Sequence, residues 1–197
     1  MIYSHLSTRL LTAGVLACAA AAASAGGPEV KLVEPPGARR GEPFVLTITG
    51  ERLSAPLAIH FHRAGVRVEK VTAVDEKTVK AECVADAGAE PGEYPFRLRT
   101  AGGLSDLHTI FIGAFACVDE QEPNAGLETA QRIAMNTTVH GVVTNEDADW
   151  YVVDAKQGQR LSVEVEAMRL GRSLFDPAIA VLDARRFELA VCDDSQL

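Results

Sequence analysis

Five oxygen-bearing side chains stand where their spacing could do chemistry. Glu120, Glu122 and Asn124 alternate along one short stretch, and Asp147 and Asp149 alternate along another just before Trp150. In an extended segment every second side chain points the same way, so each set turns its oxygens to one side. Carboxylate and amide oxygens are the donors that calcium takes, about six to eight of them per ion. If the first stretch folds back on the second, the five side chains converge and a calcium site is expected. The same residues also read as a solvated acidic linker, with Asn124 in an Asx-turn and Asp149 capping a turn.

The other chemically capable residues give less. His60 and His62 lie two apart and share a strand face, but no third ligand can be named, so an exposed polar face is expected. Asp176 precedes Pro177 in a turn context and Asp193-Asp194 sits at a loop end, which gives all three structural roles. His108 and His140 are isolated. The sequence holds no Gly-x-Ser-x-Gly elbow, no His-Glu-x-x-His helix and no Cys-x-x-Cys pair. A non-enzymatic chain is therefore expected.

The elements that must carry these residues begin after an export signal. Arg9 is followed by residues 10–23, which are apolar or small apart from Thr12, and then by the small-x-small pattern Ala23-Ser24-Ala25. That is the pattern of a secretory signal peptide over residues 1–25, cut after Ala25. The alternative is a lipoprotein acylated at Cys18 behind Val15-Leu16-Ala17. The apolar run is shorter than the roughly 20 residues of a membrane span, and no transmembrane segment is expected in the mature chain. A secreted, periplasmic or cell-surface location follows.

Loss of Arg9 moves the formal charge from -8 to -9. Such a chain lacks the clustered cations that neutralise phosphates, which sets nucleic acid aside as a partner. Of four cysteines, Cys83, Cys117 and Cys192 remain after cleavage. Export permits a disulfide, but the odd number leaves at least one thiol unpaired or paired between chains, and buried structural thiols are expected.

Residues 28–113 then read as short strands. Residues 44–49 alternate, with Phe44, Leu46 and Ile48 on one face. Further runs at 30–33, 57–61, 66–74, 78–84, 94–99 and 107–112 are separated by Pro35-Pro36-Gly37, Gly50, Gly65, Pro91-Gly92 and Gly102-Gly103. Roughly seven strands in about 85 residues suit an immunoglobulin-like sandwich. Pro35, Gly37, Gly41, Gly50 and Leu53, with the later Pro91-Gly92-Glu93-Tyr94, resemble the IPT/TIG family of immunoglobulin-like domains. That resemblance implies a spacer or binding unit without catalytic residues.

Residues 114–123 form an acidic linker, and residues 124–197 a second β module. Its runs fall at 139–143, 150–153, 161–165, 178–182 and 189–192, and Leu161, Val163 and Val165 alternate with polar residues as in a half-wet strand. Glu122-Pro123-Asn124, Thr129-Ala130-Gln131, Gly141, Asp147-Ala148-Asp149-Trp150-Tyr151, Gly158-Gln159, Leu174-Phe175-Asp176-Pro177 and Asp193-Asp194-Ser195 follow in order. This order resembles the bacterial pre-peptidase C-terminal domain, a jelly-roll-like β-sandwich of secreted proteins. The resemblance implies a non-catalytic module. It also implies calcium, which collagen-binding relatives hold between a Glu-x-Glu-x-Asn linker and the turn before the aromatic strand. The family continues beyond Asp-Asp-Ser to a Gly-x-Tyr-x-Val strand, so this module is expected to be incomplete at its C-terminus.

An all-β chain of two β-sandwich modules after a signal peptide is thus expected. It would serve as a binding or spacer protein adhering to extracellular protein or polysaccharide. The rival reading makes it the front part of a larger secreted hydrolase whose catalytic domain lies elsewhere.

Overall fold

A computed structural model of the chain describes residues 26–142, 144, 148–171 and 175–193. The expected signal peptide with Cys18, together with Asp147, Leu174, Asp194 and Ser195, lies outside the described residues. Those described are all-β, with no α-helix and a single 3-10 turn at Met168–Leu170.

The first part is a two-sheet sandwich. Its strands are β1 (Glu29–Glu34), β2 (Gly37–Arg39), β3 (Pro43–Glu51), β4 (Pro56–Phe61), β5 (Val66–Ala73), β6 (Thr78–Ala85), β7 (Gly92–Thr100), β8 (Gly103–Leu104) and β9 (His108–Gly113). One antiparallel sheet runs β1-β3-β6-β5; the other runs β2-β9-β7-β4, with β8 added to β7. The alternation read along residues 44–49 decides the packing. Leu46 and Ile48 turn fully inward from β3 and meet Val79, Ala81 and Cys83 of β6, while Phe96, Leu98, Ile110 and Ile112 close from the opposite sheet. Each buried aliphatic or aromatic side chain contributes about 1.5–3 kcal/mol, so this core is the main stabiliser of the chain.

Two glycines let the sheets close. β2 carries no apolar alternation and was not visible as a strand, yet it pairs in parallel with β9. Gly37 makes that possible, since a Cβ there would lie 2.5 Å from the Phe111 carbonyl oxygen. At Gly50 a Cβ would lie 1.9 Å from the Glu29 oxygen, across the β1–β3 ladder.

The second part is assembled differently. β10 (Ala116–Asp119) lies beside β2 and pairs in parallel with β12 (Thr137–His140). β11 (Gln131–Arg132) pairs in parallel with β13 (Tyr151–Val152), and β14 (Ile179–Leu182) forms an antiparallel pair with β15 (Glu188–Cys192). Among the described residues after Gly113, Asn124 alone is buried. The half-wet strand expected at residues 161–165 does not form, and Leu161, Val163 and Val165 stand 36%, 51% and 46% exposed. Alternation supplies a face but not a ladder, and no described neighbour pairs with this segment.

The cysteines divide. Cys83 is buried, and burial pushes its thiol up to about 11. Cys117 is half-buried and Cys192 exposed, so the expectation of buried thiols holds for Cys83 alone. The three form no disulfide with one another. No helix among the described residues is long and apolar enough to cross a membrane.

The glycine geometry gives a paired prediction. Gly50→Ala should lower stability by at least about 2 kcal/mol, because the new methyl group must push the β1 backbone aside. Gly88→Ala, where a Cβ meets nothing within 4 Å, should leave stability unchanged or slightly raised. Urea denaturation of the two variants measures the contrast.

Candidate functional site

The acidic linker does fold back toward the strand after the second acidic turn. The backbone makes the join. Trp150 N–H donates to the Asn124 carbonyl at 3.0 Å, Gln131 N–H to the Trp150 carbonyl at 2.8 Å, and Glu120 N–H to the His140 carbonyl at 3.1 Å. The Gln131 side chain clamps the linker on both of its polar atoms. Its Nε2 donates to the Asp119 carbonyl at 3.1 Å, and its Oε1 accepts from Gln121 N–H at 3.0 Å. The Thr-Ala-Gln segment therefore fixes the path of the acids that precede it.

These constraints gather Glu120, Glu122 and Asp149, with one carboxylate oxygen of each within 4.8 Å of the others. Glu120 sits at the centre. Its Oε1 accepts from Asn124 Nδ2 and from the Tyr151 hydroxyl, each at 2.8 Å, and its Oε2 accepts from Val142 N–H at 2.7 Å. Glu122 Oε2 accepts from Asn124 N–H at 2.8 Å. Burial alone would raise the Glu120 pKa. The donors Val142, Asn124 and Tyr151, with Asp149 beside them, outweigh it and hold the carboxyl below its ordinary value. Tyr151 moves the opposite way. Burial, then the hydrogen bond to Glu120 and the charges of Glu120, Asp149 and Glu122, push its hydroxyl far above the usual value.

Asn124 is fully buried, and its Oδ1 has no hydrogen-bond partner among the described residues, although its Nδ2 is engaged by Glu120. A buried amide oxygen without a partner costs about 1–3 kcal/mol unless something else satisfies it. Of the five candidate residues, the structure thus gathers the carboxylates of Glu120, Glu122 and Asp149, and Asn124 joins them through its Nδ2; Asp147 lies outside the described residues. Trp150 and Tyr151 are both half-buried.

The remaining candidates do not assemble. His60 is exposed on β4, but His62 is exposed in the bend after that strand has ended at Phe61, so the two do not share a strand face. Asp176 and Asp193 are also exposed. His108 is half-buried, its ring 6.1 Å from that of Phe96, and burial lowers its pKa.

A second feature was not visible in the sequence. Phe111 and Glu93 pair across β9 and β7 on the outer face of the second sheet, and the residues around the 3-10 turn lie over them. Between the two is an open cleft of about 620 Å³. Its sheet side is Phe111, Pro95, Glu93 and Arg63; its other wall is Glu164, Glu166 and Arg169. Arg169 faces Glu93 at 3.7 Å and Glu166 at 3.8 Å. These residues lie far apart in the sequence, and no periodicity links them.

No family model matches the chain, and no curated protein matches it. Among solved structures, it is similar in part to SGBP-B of the Bacteroides ovatus mixed-linkage glucan utilization locus, in complex with a mixed-linkage heptasaccharide. The identity is 18% over 55% of this chain and 25% of that one, with a TM-score of 0.34. The likeness is too distant to bear on ligand or activity.

The cleft carries a pH signature. Burial first, then the charges of Glu164 and Glu93, raise the Glu166 pKa against the opposing Arg169. The folded chain therefore holds this proton more tightly than the unfolded chain. The associated stability is full at pH below the unfolded carboxyl value and is lost as pH rises through the raised value. Glu166→Gln should flatten this part of the stability–pH curve and leave the neutral-pH protein at least as stable. Thermal melts between pH 4 and 8, on the order of one per pH unit, record it.

Proposed function

We propose that the chain is a non-catalytic exported protein that adheres to extracellular protein or polysaccharide. Its first part is an IPT/TIG-like sandwich, and its second is a module of the pre-peptidase C-terminal kind stabilised by calcium. One observation carries the calcium reading: three carboxylates converge beside a buried Asn124 whose Oδ1 lacks a partner among the described residues. The donor set fits the ion, because it is all oxygen and strongly anionic, which suits a hard cation and not zinc. Glu120, Glu122, Asp149 and the Asn124 amide oxygen would hold it, with Asp147 as a further candidate. The ion would offset the mutual repulsion of the carboxylates and tie the linker to the strand that begins at Tyr151. A cation there sets the direction in which the second part leaves the sandwich, which is what a surface adhesin or spacer requires of a joint.

The melting temperature of the whole chain in calcium and in chelator tests this. At a calcium concentration about 100-fold above Kd, the gain is about 2.7 kcal/mol, or roughly 5–10 °C. Asp149→Ala and Glu122→Ala should abolish that gain while changing the melt in chelator little. Equal losses with and without calcium would mean that the acids are only a solvated linker. Retention on immobilised collagen or on a polysaccharide checks the adhesive role, and retention on neither leaves a spacer.

A further inference from the structure

The cleft beside Phe111 carries a second inference, which rests on the polymer-binding reading and gives it a place and a ligand class. We propose that this cleft binds the sugar rings of a neutral polysaccharide. Its volume of about 620 Å³ is that of a small-molecule site and accommodates a few rings. It is open rather than enclosed, which suits the middle of a long chain.

The lining chemistry selects the ligand. Phe111, Pro91 and Pro95 provide apolar surface for the C–H faces of sugar rings. Around them, cations and carboxylates alternate. Arg63 and Arg169 stand against Glu93, Glu164 and Glu166, so both signs line the cleft and the carboxylates outnumber the guanidiniums by one. A polyanion would meet three carboxylates and a polycation two guanidiniums. A neutral polyhydroxyl chain meets neither penalty, because each hydroxyl can donate to a carboxylate and accept from a guanidinium.

The distances leave room for such hydroxyls. Arg169 is 3.7 Å from Glu93 and 3.8 Å from Glu166, beyond direct hydrogen bonding. These long ion pairs leave hydrogen-bonding capacity on both partners, which a hydroxyl approaching from the open side of the cleft can take up. Arg63 is already oriented. It donates to the Glu93 carbonyl and to Glu90, each at 3.3 Å, and its guanidinium carbon lies 4.7 Å from the centre of the Tyr94 ring. A donor fixed in this way loses little freedom on binding.

The test is affinity electrophoresis of the whole chain through gels holding soluble β-glucan, galactomannan or polygalacturonate. Retardation is expected with at least one of the two neutral glycans and not with polygalacturonate. Phe111→Ala and Arg169→Ala should each weaken it about tenfold. Lys80→Ala, on the opposite sheet, should leave it unchanged. Arg169 is 47% exposed at its side chain, so its variant stays folded and informative even if Phe111→Ala does not. No retardation by either neutral glycan overturns the cleft; retention on immobilised collagen would then keep the adhesive reading alive without it. Retardation that survives both cleft variants overturns the cleft as the site but leaves polysaccharide binding standing. Retardation by polygalacturonate alone overturns the ligand class.

Discussion

The carboxylate of Glu120 is the constraint on which the second part of the chain depends. It draws donors from three places: Asn124 within the linker, Val142 just past β12, and Tyr151 in β13. No buried apolar cluster among the described residues after Gly113 could do this instead. A charged acceptor strengthens each bond, and such bonds contribute about 1.5–3 kcal/mol apiece where they are sheltered. The parallel pairs β10–β12 and β11–β13 are short, and a pair of strands has little stability of its own. Their relative placement therefore follows from Glu120 and from the Gln131 clamp more than from the ladders.

The first part rests on the opposite physics. Its two sheets exclude water from sixteen buried apolar residues, and the register of β3 against β6 follows from a period of two. A slip by one residue would turn Leu46 and Ile48 into solvent, which fixes the pairing without polar help. The sandwich can thus present a fixed outer face, with Phe111, Glu93 and Arg63 set on β9, β7 and the turn after β4. The second part leans on that face through the residues around its 3-10 turn.

This difference explains what the sequence disclosed. Strands β1, β3 to β7 and β9 were legible because each needs alternating apolar residues and a turn signal at its end, and both are written locally. β2 was not, because Gly37-Ala38-Arg39 pairs through its backbone alone. The segment at 161–165 misled because alternation signals a strand only when a partner ladder exists. The approach of Glu120, Glu122 and Asp149 was partly legible, because their i, i+2 spacing is a local pattern. The burial of Asn124 was not legible, since burial depends on the whole arrangement. The cleft was not legible for the same reason, joining residues of β7 and β9 to others some seventy positions and fifty positions away in the chain.

The hydrogen bonds of Glu120 also decide how a cation could enter the cluster. A carboxylate offers about four lone-pair sites, and three donors already engage this one. With Asp149 as a further side-chain partner, Glu120 would be a positioned but largely saturated ligand. Glu122 has Oε1 uncommitted to Asn124, and Asn124 has the whole of Oδ1. In the proposed site most of the coordination would come from these, from Asp149 and from water, with Glu120 as the anchor that holds them in reach. The same bonds lower the Glu120 pKa against the opposing effect of burial. The donors that orient the site thus also keep it anionic, and the cost of bringing three carboxylates together is offset partly by the protein before any ion arrives.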